Sequence, residues 1–232
     1  MTGIIGAMEE EVTLLREKME EAEIRNIAGM CFYKGKIEGR EVVLVRSGVG
    51  KVNAAVCTQI LISVFGVDRV INSGIAGSLD ERIEIGDIVI SSDAVEHDMD
   101  ASGFGYALGE IPRMDRIAFE ADQALGELAK RCCLAANPGI SCFIGRIASG
   151  DIFVSDMLMK KKIKKEFKAL CTEMEGAAIA HTAFLNQVPF LIIRAISDKA
   201  DGSASVDYCE FEAAAIGNCS RLTLELLRSA EF

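Results

Sequence analysis

Acidic side chains recur where the apolar runs of this 232-residue chain give out. The first run, Gly3-Ile4-Ile5-Gly6-Ala7, delivers Met8 and Glu9-Glu10-Glu11. A later one delivers Ser47-Gly48-Val49-Gly50, and the next Gly74-Ile75-Ala76-Gly77. Further on come Ser149-Gly150-Asp151 and Ser197-Asp198, while Glu173-Met174-Glu175 stands between a short apolar piece and a helical stretch. Carboxylates so placed can act as acids, as bases or as grips for hydroxyl groups. Glycines let a ligand approach the backbone closely. His and Lys are nearly absent from these ends, so a serine-hydrolase triad or a Schiff-base mechanism is unattractive.

Each feature alone has an ordinary explanation. Glu9-Glu10-Glu11 suits the positive end of a helix dipole. Glu173 and Glu175 could form the acidic first turn of the next helix, and Asp198 a cap or turn. Phe153 and Tyr208 are more often core than stacking residues. The run Lys160 to Lys165 reads as a solvated helix face. His97 and His181 read as structural. The signal is the number of polar run-ends in one chain.

The elements that must carry these ends follow from periodicity. Residues 3–7 predict a buried strand and 9–21 an amphipathic helix. Residues 31–37 and 41–47 predict strands around a Glu38-Gly39 turn. A helix follows Gly50, then a strand at 70–72 that ends in the glycine-rich stretch 73–77. Residues 87–91 predict a strand, 117–134 a helix, 141–147 a strand and 156–167 a lysine-rich helix. A helix over 177–186, a strand over 190–196 and a helix over 207–228 complete the chain. Residues 93–116 show no period; a loop that long is usually functional or an interaction element. Strands alternating with helices predict a single α/β domain over 1–232 with a largely parallel, covered sheet. In such sheets ligands bind beyond the carboxyl ends of the strands.

Composition narrows the function. Lys plus Arg is 25 and Asp plus Glu 35, a formal charge of −10. Such a chain has no general attraction for nucleic acid or anionic lipid. Mean hydropathy is +0.26, yet no apolar stretch approaches the ~20 residues needed to cross a bilayer. The N-terminus lacks the basic region of a signal peptide. Eight cysteines without a CxxC, and only two His, give no zinc-site spacing. Reduced thiols in the cytoplasm are expected, with no metal and no cofactor.

The segments IIGAMEEEV (4–12), SGVGKVNAA (47–55), INSGIAGSL (71–79), GDIVIS (86–91), SGD-x-F (149–153), EMEGAAIAH (173–181) and RAISDKAD (194–201) together resemble the methylthioadenosine/S-adenosylhomocysteine nucleosidases of the nucleoside phosphorylase superfamily. The resemblance spans nearly the whole chain. It implies a three-layer α/β/α fold with a mixed, largely parallel sheet. It also implies hydrolysis of the N-glycosidic bond of methylthioadenosine and S-adenosylhomocysteine, in methionine salvage. By the same resemblance Asp198 would protonate adenine N7 and Glu11 would take a proton from the attacking water. Glu175 would hold the ribose hydroxyls, and Arg194 would orient the water or the nearby acids. Met8 and Met174 would pack on the ribose, and Phe153 and Val154 would sandwich adenine. Val49 would line the alkylthio end and Tyr208 would lie beside the ribose; Ile75, Glu173 and Ser197 would complete the pocket. Phe104 and Pro112, in the 93–116 loop, match a segment that closes the partner subunit's pocket, so a homodimer is expected.

Breaking a ribosyl C1′–N9 bond builds positive charge on the sugar and negative charge on the base. Two carboxylates in acid and base roles suit that problem, as in glycoside hydrolysis. The related phosphorylases need cationic groups for phosphate. Here three carboxylates follow the first strand, and Asn72 and Ile75 stand where phosphorylases carry Arg and a hydroxyl residue. Arg40 is the one residue placed like a phosphate-binding arginine, with Arg46 nearby. Hydrolysis is therefore favoured over purine nucleoside phosphorolysis; a futalosine or aminofutalosine nucleosidase is the nearest alternative. Ile75, Gly176 and Tyr208 depart from the usual residues of the family.

Overall fold

The computed structural model describes all 232 residues. One ten-stranded sheet threads the chain from end to end. Its first strand, β1 (Thr2–Gly6), is buried along its whole length, as an apolar run in a covered sheet must be. It pairs in parallel with β4 (Arg40–Arg46) and β5 (Arg69–Ser78). Between them lie α1 (Glu9–Glu17), the meander β2 (Glu20–Ile27) and β3 (Met30–Ile37), and α2 (Lys51–Phe65). The second half adds β6 (Ile88–Glu96), β7 (Ala118–Glu120), α3 (Gln123–Ala136), β8 (Cys142–Ser149) and α4 (Met157–Phe167). It closes with β9 (Cys171–Glu173), α5 (Gly176–Leu185), β10 (Phe190–Asp198) and α6 (Ala204–Arg228). Helices α2 and α5 pack together, as do α1, α3 and α6 in a second group, so helices cover the sheet. No helix is long and apolar enough to cross a membrane.

Five pairings are parallel and five antiparallel, so the sheet is mixed, with antiparallel pairing more frequent than the alternation of elements suggested. The strand order β10-β6-β8-β9-β5 returns on itself because β10 also pairs β5. That closed ring is what assembles the site. Asp198 sits opposite Gly77, Gly77 opposite Thr172, and Glu173 opposite Ser149. Residues far apart in sequence thus become neighbours along one rim.

Several local expectations are corrected. The helix expected over 9–21 stops at Glu17, and Glu20–Ile27 forms an edge strand. Its exposed, charge-rich sequence carries no apolar alternation, yet suits an edge that must not recruit another strand. The helix expected over 117–134 begins only at Gln123. Asp122 caps it by accepting the Leu125 N–H at 2.9 Å, and Ala118–Glu120 is a short strand. The strand expected over 87–91 runs to Glu96, so the irregular segment starts at His97 and holds a short turn at Ser102–Phe104 and an isolated bridge between Ile111 and Arg116. The lysine run does lie on a helix, with Lys161, Lys162 and Lys165 exposed.

The stretch 73–77 is strand rather than turn. Its glycines answer to packing. A Cβ on Gly74 would collide with the Arg194 guanidinium and come within 2.5 Å of a Glu11 carboxylate oxygen; one on Gly77 would come within 2.7 Å of Asp198 Oδ1. Gly74→Ala should therefore cost about 1–3 kcal/mol, the usual cost of overpacking. Urea unfolding of the two proteins measures it; an unchanged midpoint would show that the strand yields freely there.

Candidate active site

The strand ends meet at one cavity of about 360 Å³, within the range of small-molecule sites. Its wall includes Met8, Glu11, Val49, Ile75, Phe153, Glu173, Met174, Glu175, Ser197, Asp198 and Tyr208. Val154 is buried and lines an adjoining recess that shares Phe153 and Asp198. Arg194 lies just behind the wall, 1% exposed. Phe104 and Pro112 line neither space; Phe104 is 88% exposed on the irregular segment.

Glu11 is fixed by backbone donors. Its Oε2 accepts from Ala7 N–H at 2.6 Å and Met8 N–H at 3.1 Å, and its Oε1 from Ile75 N–H at 3.1 Å. The Glu9-Glu10-Glu11 run does open a helix, as the dipole argument holds, but Glu11 alone of the three is buried. Burial raises its pKa, against Arg194 and those three N–H groups, which favour the ionised form. Ile75 serves through its backbone, so the absence of a hydroxyl side chain there leaves this contact intact.

Arg194 gathers the acids. Its guanidinium donates to Glu173 and Asn72, and Glu175 Oε2 lies 3.7 Å away. Burial alone would lower its pKa, but Glu173, Glu175 and Glu11 hold it above its ordinary value. Glu173 also accepts from the Ser149 hydroxyl and from the N–H groups of Glu175 and Gly176. Its oxygens are engaged, so within this wall it anchors Arg194. Glu175 accepts from Gly50 N–H at 2.8 Å. Burial, then the charge on Glu173, pushes it up to about 7.

Asp198 faces the other end. Its Oδ1 accepts from Ala200 N–H at 2.8 Å, and its Oδ2 lies 2.9 Å from the Ser197 hydroxyl. Burial raises its pKa over the opposing effect of these bonds. The Ser197 hydroxyl also reaches Ala76 O at 3.4 Å, so it can turn away when Asp198 carries a proton. Phe153 stands edge-on to Tyr208, with centroids 6.0 Å apart. Tyr208 donates to Glu212 at 2.7 Å and lies 3.2 Å from Met8 sulfur.

Other members escaped the sequence reading. Gly50 acts through one backbone hydrogen bond, and Asn72 and Ser149 through two side-chain hydrogen bonds each, although each lies inside or beside a singled-out motif. Ser205 and Cys209 come from the start of α6, where no apolar run ends and no signal pointed to them. Arg40 is elsewhere, donating to Leu227 and Ser229 carbonyls at the end of α6. Arg46 lies on the surface, 3.7 Å from Glu9. None of the residues lining the cavity is Lys, Arg or His.

A profile of the phosphorylase superfamily matches residues 2–228. A 5′-methylthioadenosine/S-adenosylhomocysteine nucleosidase of Staphylococcus carnosus is 46% identical over 99% of this chain and 100% of its own. The crystal structure of the Neisseria meningitidis nucleosidase in complex with methylthio-immucillin-A superposes with a TM-score of 0.94, at 40% identity and 98% coverage of both chains. That of Colwellia psychrerythraea, in complex with adenine, gives 0.93 at 40% identity, over 97% of this chain and 93% of that one. With likeness of this extent in both sequence and fold, the chain belongs to the 5′-methylthioadenosine/S-adenosylhomocysteine nucleosidase family of the phosphorylase superfamily.

Proposed function

We propose that this protein hydrolyses the N-glycosidic bond of 5′-methylthioadenosine and S-adenosylhomocysteine, releasing adenine and the thioribose and so serving methionine salvage. The observation that carries the reading is the convergence of Glu11, Glu175 and Asp198 on one cavity. Asp198, whose carboxyl burial pushes above its ordinary range, gives a proton to adenine N7 as the C1′–N9 bond breaks and its electron pair leaves with the base. A water oxygen bonds to C1′, and Glu11 takes the proton it releases. Glu175 accepts from the ribose hydroxyls. Arg194 holds Glu173 and Glu175 in place from behind. Met8 and Met174 pack on the sugar with Tyr208 beside it, Phe153 and Val154 bracket the base, and Val49 borders the 5′ substituent.

Water, not phosphate, is the nucleophile in this reading. The cavity wall has no cationic side chain, and Arg194 is taken up by carboxylates. An incoming phosphate would meet Glu11 and Glu175 unpaired. Adenine release from 5′-methylthioadenosine should proceed equally with and without inorganic phosphate, and strict dependence on phosphate would overturn the reading. Asp198→Asn should keep the fold and lose adenine release by on the order of a thousandfold.

The pH dependence follows from the opposite demands on these acids. Glu175 and Glu11 work ionised, and both are raised. Activity is therefore lost as pH falls through their range, with an acid limb of kcat/KM near the value of about 7 for Glu175. Asp198 works protonated, so a second limb falls on the alkaline side. Glu175→Gln should abolish the acid limb near 7; its persistence would assign that limb elsewhere.

The homodimer belongs to the same reading. Val52 and Val56 of α2 and Leu185 of α5 are exposed apolar residues on packed neighbouring helices, and Phe104 projects from the irregular segment. A second copy would cover them, with Phe104 and Pro112 of each subunit closing the pocket of the other. A reducing, cytoplasmic setting suits the eight free thiols.

A further inference from the structure

Outside the pocket wall, three elements are tied into a ring by side chains that do not line the cavity. Lys51 opens α2, Asp98 follows the end of β6, and Asp151 follows the end of β8. The Lys51 backbone N–H donates to Asp151 Oδ1 at 2.8 Å. The Lys51 ammonium donates to Asp98 Oδ1 at 2.7 Å. The other oxygen of Asp98 accepts from the Asp151 N–H at 3.0 Å. Glu96 gives the ammonium a second carboxylate at 3.0 Å.

The ring bears on the pocket through the residues next to its members. Gly50, directly before Lys51, gives its N–H to Glu175 at 2.8 Å. Its φ is +97°, and a Cβ there would stand 3.0 Å from Asp151 Oδ1. Two successive N–H groups at the start of α2 thus point at two carboxylates, one in the pocket and one in the ring. Phe153 lies two residues beyond Asp151, on the loop that the ring anchors. The irregular segment that begins at His97 leaves from the third member.

We propose that Lys51, Asp98 and Asp151 are positioning residues for the reaction proposed above, a clamp that holds the Gly50 N–H on Glu175 and the Phe153 loop against the cavity. This rests on the nucleosidase reading, and a surface ion pair would not do it. The Lys51–Asp98 pair is only 19% exposed at each side chain, whereas Asp151 is exposed and is tied in through backbone N–H groups rather than by an ion pair. The three links join residues 100, 47 and 53 positions apart. A shift of about 1 Å at a positioning contact costs on the order of a hundredfold in rate.

The groups facing Glu175 are the Gly50 N–H, Glu173, Arg194 and Glu11. Of these, only the Gly50 N–H is held by the clamp. That N–H favours the ionised carboxylate, so loosening the clamp moves the acid limb of kcat/KM to higher pH.

Asp151→Ala removes the acceptor for Lys51 N–H, whereas Asp151→Asn keeps one. Lys51→Met breaks the ring from the other side, should the alanine variant fail to fold. Three readouts are needed: adenine release from 5′-methylthioadenosine across pH, amide hydrogen exchange at Gly50 and Lys51, and thermal unfolding. Asp151→Ala and Lys51→Met should lower kcat/KM by on the order of tenfold to a hundredfold, raise the acid-limb pKa and lose protection at Gly50. Asp151→Asn should restore most of the rate. The clamp is overturned if Gly50 stays protected, or if Tm falls while the pH profile stays in place. A wild-type protein that released no adenine would refute the nucleosidase reading, and Gly50 protection would then decide the clamp by itself.

Discussion

One buried guanidinium faces three carboxylates, and the rest of the site is built around that imbalance. Arg194 cannot be desolvated without partners, because an unpaired charge in the interior costs several kcal/mol. Glu173 and Asn72 supply the direct hydrogen bonds, and Glu175 and Glu11 complete the surrounding charge. One cation does not neutralise three anions, so the cluster favours retention of a proton, with Glu175 titrating near 7. The packing obeys the same group. Gly74 must lack a side chain because the guanidinium and Glu11 occupy the space above it. Strand β5 therefore runs through a glycine stretch that would otherwise read as a break.

The two halves of the proposed chemistry are kept apart by surroundings rather than by residue type. Glu11 and Asp198 are both buried carboxylates raised by desolvation. Glu11 has three backbone N–H donors and Arg194 opposing that rise. Asp198 has one backbone N–H, a hydroxyl that can rotate away, and the charges of Asp207 and Asp201 pushing it further up. The first environment can carry a negative charge, and the second can hold a proton. Divergent surroundings of this kind are how one site runs a base and an acid at the same pH.

Much of this could be read from the residues, and the gaps have physical causes. Glu11, Glu175, Asp198 and Phe153 follow the ends of apolar runs, which is where the strands deliver them, whereas Tyr208 comes from the first turns of α6. The interior strands β1, β4, β5 and β10 were visible because burial on both faces demands continuous apolar sequence. Edge strand β2 was hidden because its residues answer to water. Strand β7 is only three residues long, too short for any period to show. The stretch 73–77 was misread because glycine signals a turn and a close approach equally well. The register that sets Asp198 against Gly77, and Glu173 against Ser149, depends on ring closure between β10 and β5, which no local pattern encodes. Gly50, Asn72 and Ser149 depend on that register too.

The site divides by rigidity. Arg194 and Asp198 belong to β10, Glu173 to β9, and the Ile75 N–H to β5, all within one hydrogen-bonded ring. Groups held this way are preorganised at no further entropic cost. The groups proposed to grip substrate come from less regular places: the Gly48–Gly50 turn, the loop of Phe153 and the first turns of α6 with Tyr208. Loops admit a ligand, but they give up precision unless something outside the pocket restrains them. Phe153, 46% exposed, has little packing of its own to do this. The ion pairs around Lys51 supply restraint where the sheet cannot, at the junction of a helix start and two strand ends. Charged groups that never meet the substrate are then as much a consequence of its geometry as the carboxylates that do.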